Sequence, residues 1–171
     1  MKSFRILMSI ATRFDLELRQ YDAVNAFVNA KLDEEVYMRM PMGHGKPGTI
    51  LKLRRALYGL PRSPLLWQIE LTSALEAIGF VRISHEPCAL IRKGAIIFFY
   101  VDDIILAYRK QAEQEMMTAM DQLKKRFKLT GGHDIHWFLG VEIVRDRAIR
   151  KMWLSQQSYI CLLYTSPSPR D

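Results

Sequence analysis

Asp102 and Asp103 stand side by side in Tyr100-Val101-Asp102-Asp103, inside the otherwise apolar run 95–107. Burying a charge costs free energy unless a partner compensates it. Two adjacent carboxylates raise the cost, because each lifts the pKa of the other. The compensator is a basic side chain or a divalent cation, and a tight hairpin with the acids at its tip would present both to a metal. A third acid, Asp22 in Tyr21-Asp22-Ala23-Val24-Asn25-Ala26-Phe27, lies 80 residues earlier, near the end of a strand-like segment. Strand-borne carboxylates gathered in one sheet supply oxygen ligands for two hard cations about 3.5–4 Å apart with a phosphoryl group between them. One ion would activate an attacking hydroxyl and the other would stabilise a leaving pyrophosphate.

The elements that would carry these acids follow from periodicity. Residues 3–14 read as a helix with Phe4, Leu7, Met8 and Ala11 on one face. Residues 16–24 alternate as a strand that ends near Asp22, and short strands follow at 36–40 and 50–54, around a Pro/Gly/His loop at 41–48. Ser63 reads as an N-cap before Pro64, opening a helix with Leu71, Ala74, Leu75 and Ile78 on one face and Gly79 at its end. Strands 88–92 and 95–100 flank the turn Lys93-Gly94, and a strand at 104–108 follows the acid pair. Residues 111–127 are the clearest helix, built on Ala112, Met116, Ala119, Met120, Leu123 and Phe127. Gly131-Gly132 reads as a chain break, followed by strands at 137–144 and 152–155. Hairpins mixed with helices favour an α+β fold over a doubly wound sheet.

The bulk numbers fit one domain with a core: 171 residues, 49% hydrophobic and 25% charged. A net charge of +7 suits a polyanionic partner. Two cysteines, Cys88 and Cys161, have neither metal-ligand spacing nor the makings of a disulfide framework. No signal peptide is evident, and the run 95–107 is too short and too acidic to cross a membrane.

Four segments, in order and spacing, carry a likeness: YDAVNAFVNAKLDEEVYM at 21–38, LRRALYGLPRSPLLW at 53–67, FYVDDIIL at 99–106 and WFLGVEI at 137–143. With them the chain resembles the reverse transcriptase of copia-type retrotransposons over essentially 1–160. The resemblance implies a polymerase palm: an antiparallel sheet with a catalytic hairpin, packed on helices. It implies that Asp22, Asp102 and Asp103 are the catalytic carboxylates and hold two Mg²⁺, with Mn²⁺ as an alternative, and that Ala23 adds a main-chain ligand. Main-chain groups of Ala23 and Val24 would approach the incoming dNTP. Phe27 would screen the sugar against a 2′-hydroxyl, and Gly59 would let the backbone approach nucleotide and template. Tyr100 and Val101 would lie under the primer terminus. Trp137, Phe138, Leu139 and Gly140 would form a hairpin gripping the primer, and Arg54, Arg55 and Arg62 would meet phosphates. The implied partners are an RNA template, a DNA primer strand and the rest of a polyprotein, with fingers, thumb, RNase H and integrase and no membrane. The implied location is a cytoplasmic virus-like particle, with later passage to the nucleus. Only 21 residues precede Asp22, so the expectation is a palm with partial fingers, cut at both ends.

Plainer readings stand beside these. Phe27 and the stretch 137–139 also suit ordinary core. Asp33-Glu34-Glu35 suits a solvated turn, Lys124-Lys125-Arg126 the wet face of a helix, and His133 with His136 lacks a further metal ligand nearby. Alanine at 30, where family members often carry glycine, asks only that the turn need no positive φ. The rival function is an inactive retroelement relic or fragment that at most binds nucleic acid. The last eleven residues, 161–171, match codon for codon a frame of a transposase-library sequencing adaptor, so the native sequence is expected to stop at Ile160.

Overall fold

The computed structural model describes residues 2–41, 43–46 and 48–165. Among them are four α-helices and antiparallel strands in three sheets, a mixed α and β architecture. The helices are α1 (Lys2–Arg13), α2 (Ser63–Ala77), α3 (Glu113–Arg126) and α4 (Gln157–Thr165). The strands are β1 (Glu17–Ala23), β2 (Tyr37–Arg39), β3 (Ile50–Lys52), β4 (Val81–Ile83), β5 (Glu86–Arg92), β6 (Ala95–Tyr100), β7 (Asp103–Tyr108), β8 (Leu129–Asp134), β9 (Trp137–Phe138), β10 (Val141–Asp146) and β11 (Lys151–Ser155). The main sheet runs β4-β5-β6-β7-β1-β8, beside a three-stranded sheet β11-β10-β9 and the pair β2-β3.

Both faces of the main sheet are covered. Ile97, Phe99, Ile104, Leu106 and Tyr108 point to one side, where Trp67, Leu71, Leu75, Met116, Met120 and Leu123 of α2 and α3 meet them. Phe98, Ile105 and Ala107 point to the other, onto Phe4, Leu7 and Met8 of α1 and onto Phe138, Val141 and Ile143 of the small sheet. Burial on both faces explains why 95–107 is apolar without alternation, as central strands are. α1 buries the four residues its periodicity selects. Arg145 closes its far end, donating to the carbonyls of Leu16 (2.6 Å) and Ala11 (3.2 Å) and pairing with Asp15 (2.8 Å). α3 carries Glu113 and Glu115 in its first turn and Lys124, Lys125 and Arg126 in its last, the polarity the helix dipole favours.

Three sequence expectations change, and one strand, β4, was not expected. Gly131-Gly132 does not break the chain but lies inside β8, which pairs with β1. Gln20 faces His133 and Tyr21 faces Gly131, so Gly132 is the extra residue of a bulge. A Cβ on Gly131 would stand 2.6 Å from the Gln20 carbonyl oxygen, so glycine here permits close backbone approach. The single strand expected at 137–144 is two strands joined by a tight turn, with Leu139 at φ 48° and Gly140 at φ 74°. Ser63 lies in the first turn of α2 rather than capping it. Its Oγ donates to the Leu57 carbonyl (2.6 Å) and accepts from the Leu57 N–H (3.1 Å), which ties loop 57–62 to the helix. β4 carried no readable pattern, being short, exposed and held by pairing to β5.

α4 extends through 161–165 with no buried side chain, and 166–171 of the adaptor-like tail lie outside the described residues. No helix among the described residues is long and apolar enough to cross a membrane.

Candidate active site

The three acids lie on neighbouring backbone, at the end of β1 and in and just after the turn from β6 to β7. β6 turns into β7 through Val101 and Asp102 alone, because Tyr100 already pairs with Asp103. On the other side Asp103 is the register partner of Asp22. Alternation along β1 and β7 puts Asp22 and Asp103 on the α1 face of the sheet, together with Gln20. The Gln20 amide donates to the Asp103 carboxylate at 3.3 Å. The Ala23 N–H donates to the Asp102 carbonyl at 2.8 Å and so fastens the turn to β1. Val101 sits at φ 57°, a left-handed conformation that a β-branched residue adopts only under restraint.

Electrostatics mark the same spot. Burial, and then the charges of Asp102 and Asp22, push the Asp103 carboxyl above its usual range, against the hydrogen bond from Gln20. Burial, and then the charges of Asp102 and Asp22, raise the Tyr58 hydroxyl above its usual range. Among the described residues neither Asp22 nor Asp102 has a basic partner within ion-pair distance. The oxygen-only donor set suits a hard divalent cation. The acids are neighbours rather than a closed cage, since no three His, Cys, Asp or Glu among the described residues converge as a ready metal site.

Around the acids the other expected residues fall into two groups. Phe27 lies on a 3₁₀ turn (Ala26–Asn29) entered through Asn25 at φ 53°, is 6% exposed and packs against Tyr58 with centroids 4.3 Å apart. Gly59, next to Tyr58, is exposed at φ 94°, and a Cβ there would meet nothing within 4 Å. Its backbone conformation, not crowding, is what calls for glycine. Tyr100 is 53% exposed at the mouth of the turn. The N–H groups of Ala23 and Val24 are both used inside the fold, the second by the Lys128 carbonyl at 2.9 Å, so neither is a donor for phosphate.

The remaining residues stand apart from the acids. Arg62 makes a two-pronged pair with Asp33, Arg55 donates to the Asn29 carbonyl at 3.0 Å, and Arg54 is exposed. The Arg62 pair is exposed, so exchange of Asp33 for a phosphate costs little. Trp137 is 45% exposed, whereas Phe138 is core, stacked on Phe4 at 5.0 Å. Asp33 and Glu35 are surface partners of Arg62 and Lys52.

Sequence reasoning passed over Gln20, Tyr58 and Trp67. Gln20 was readable as the residue two before Asp22 on the same strand face. Trp67 lies inside a segment already singled out, but its role depends on a contact 34 residues away in sequence.

The family described as reverse transcriptase (RNA-dependent DNA polymerase) matches residues 1–165. The chain belongs to the reverse transcriptase family. Its relatives include the retrovirus-related Pol polyprotein from transposon TNT 1-94 of Nicotiana tabacum, 32% identical over 94% of this chain. Those from transposons RE1 and RE2 of Arabidopsis thaliana are each 34% identical over 92% of it. The reverse transcriptase chain spans 12% of the tobacco polyprotein and 11% of each Arabidopsis one.

Proposed function

We propose that this chain is the palm, with partial fingers, of a copia-type retrotransposon polymerase, and that it extends a DNA primer on an RNA template. The observation that carries the reading is the register pairing of Asp22 with Asp103, with Asp102 in the adjoining turn and its carbonyl held by Ala23. Asp103, part-buried beside Asp22 and Asp102 and raised by burial and by their charges, has no basic partner among the described residues, and a bound cation would supply the missing positive charge.

Asp22 and Asp102 would hold two divalent cations, Mg²⁺ or Mn²⁺, with Asp103 contributing charge from beneath and the Ala23 carbonyl as a candidate further ligand. When bound, the ions lower the pKa of the primer 3′-hydroxyl and offset charge on the departing pyrophosphate. The chain's own residues position the reactants. Tyr100 and Val101 support the primer end. Phe27, backed by Tyr58, bounds the sugar pocket, and a ring edge there excludes a 2′-hydroxyl. Gly59 leaves open space for backbone approach to the base, and Trp137 offers an exposed ring to the primer strand. Catalysis on this reading is positioning plus charge stabilisation. The rest of the polyprotein would supply the missing surfaces of the cleft, and the element's particle would be its setting.

The test is Mg²⁺-dependent dNTP incorporation on poly(rA)/oligo(dT) by this chain and by Asp102→Asn. Incorporation that disappears in the variant supports the reading. Equal incorporation by both refutes the role of the acids. Binding of the duplex with no incorporation by either assigns the chain to nucleic-acid binding alone.

A further inference from the structure

Trp67 is 1% exposed, and its indole N–H donates to the Val101 carbonyl at 2.6 Å. A buried indole needs a partner for its N–H, and α2 offers this one nothing of its own. The acceptor lies in the two-residue turn that carries the acids. The next carbonyl of that turn, that of Asp102, takes the Ala23 N–H at 2.8 Å. Successive carbonyls are thus held from opposite sides, one by α2 and one by β1. With both peptide planes fixed, the backbone angles of Asp102 are set from outside the turn, and so is the direction of its side chain. Restraint is needed here because Val101 occupies φ 57°, a left-handed conformation that L-residues with a branched Cβ disfavour.

The same helix holds the opposite wall of the site. One turn before Trp67, Ser63 clamps both polar groups of Leu57, next to Tyr58, and Tyr58 packs on Phe27. Phe127 meets the indole edge-on at 5.1 Å and keeps the ring upright.

We infer that Trp67 is a positioning residue that aims the acid-bearing turn through the Val101 carbonyl, and that α2 thereby couples this turn to the Tyr58–Phe27 wall. The link to catalysis rests on the proposed polymerase reading; the anchoring of the turn does not.

The experiment removes the donor and keeps the ring. Trp67→Phe is the simple variant. Benzothienylalanine in place of Trp67, which substitutes sulfur for the N–H at nearly constant volume, is the second if phenylalanine loosens the core. Amide hydrogen exchange is followed at Ala23, whose N–H reports the turn, and at Leu106 in the central strand. Mn²⁺ affinity is measured by loss of the free-ion electron paramagnetic resonance signal, with Asp102→Asn as reference. Exchange at Ala23 is expected to rise about tenfold, the scale of one backbone hydrogen bond lost, with Leu106 unchanged and Mn²⁺ bound about tenfold more weakly. Unchanged protection at Ala23, or equal loss at Ala23 and Leu106, would overturn the inference, because Trp67 would then be only a packing residue. Equal Mn²⁺ binding by the wild type and Asp102→Asn would sink the two-cation reading, while the exchange data would still decide the anchor.

Discussion

Gly131→Ala tests whether the bulge between β1 and β8 holds Asp22 in register. A Cβ at this position would lie 2.6 Å from the Gln20 carbonyl oxygen and 3.2 Å from the Tyr21 Cα, both main-chain atoms that cannot rotate away. The residue also sits at φ 89°, which costs an L-residue about 1–2 kcal/mol. Relieving the clash would pull β8 from β1 and weaken one or two ladder hydrogen bonds, at roughly 0.5–1.5 kcal/mol each. The expected cost is about 2–4 kcal/mol, which for a domain of this size lowers the midpoint of thermal unfolding by roughly 4–16 °C. Gly94→Ala is the control: it sits at φ 80°, but its Cβ would meet only the Ala112 Cβ, at an ordinary 3.5 Å. Its cost should stay near the backbone strain alone, about 1–2 kcal/mol. Circular dichroism melts of both variants decide the matter, and equal losses would refute the argument from the clash. Because Gln20 both borders the bulge and donates to Asp103, Gly131→Ala should also lower dNTP incorporation in any chain that shows it.

Asp103→Asn should stabilise the metal-free protein. A carboxyl raised by burial and by Asp102 and Asp22 favours the fold while protonated and loses that contribution as pH climbs through its folded pKa. The advantage of the variant in urea midpoints with EDTA should therefore be small at pH 4 and larger at pH 7; an advantage that does not grow with pH would contradict this. Mg²⁺ should raise the melting temperature of the wild type and leave Asp102→Asn unmoved, as seen by differential scanning fluorimetry. Arg145→Met should cost about 1–3 kcal/mol by taking a charged donor from the Leu16 carbonyl, while the Ala11 carbonyl keeps the Leu16 N–H at 2.9 Å. Arg147→Met, which breaks an exposed pair with Glu17, should cost under about 1 kcal/mol in the same denaturation series. Phe27→Leu should narrow the preference for dNTP over rNTP, measured as a ratio of kcat/KM values; an unchanged ratio would return Phe27 to the core.

Much of this protein is written locally. The four-residue face of α1, the face of α3 and the turn at Lys93-Gly94 follow from periodicity and turn chemistry, because neighbouring residues decide them. The order of four short motifs carried the family, and the acids in an apolar run pointed to the candidate site. Tertiary structure alone decided the rest. Gly131-Gly132 reads as a break until β1 comes within 2.6 Å of it, and only then does glycine become what a bulged strand requires. Ser63 reads as a cap until the Leu57 backbone competes for its hydroxyl. Trp67 is only the last residue of a motif until folding brings its N–H to a carbonyl 34 residues away. Local sequence sets which conformations are cheap, but which polar group must find which partner is settled when the chain is packed and water is gone.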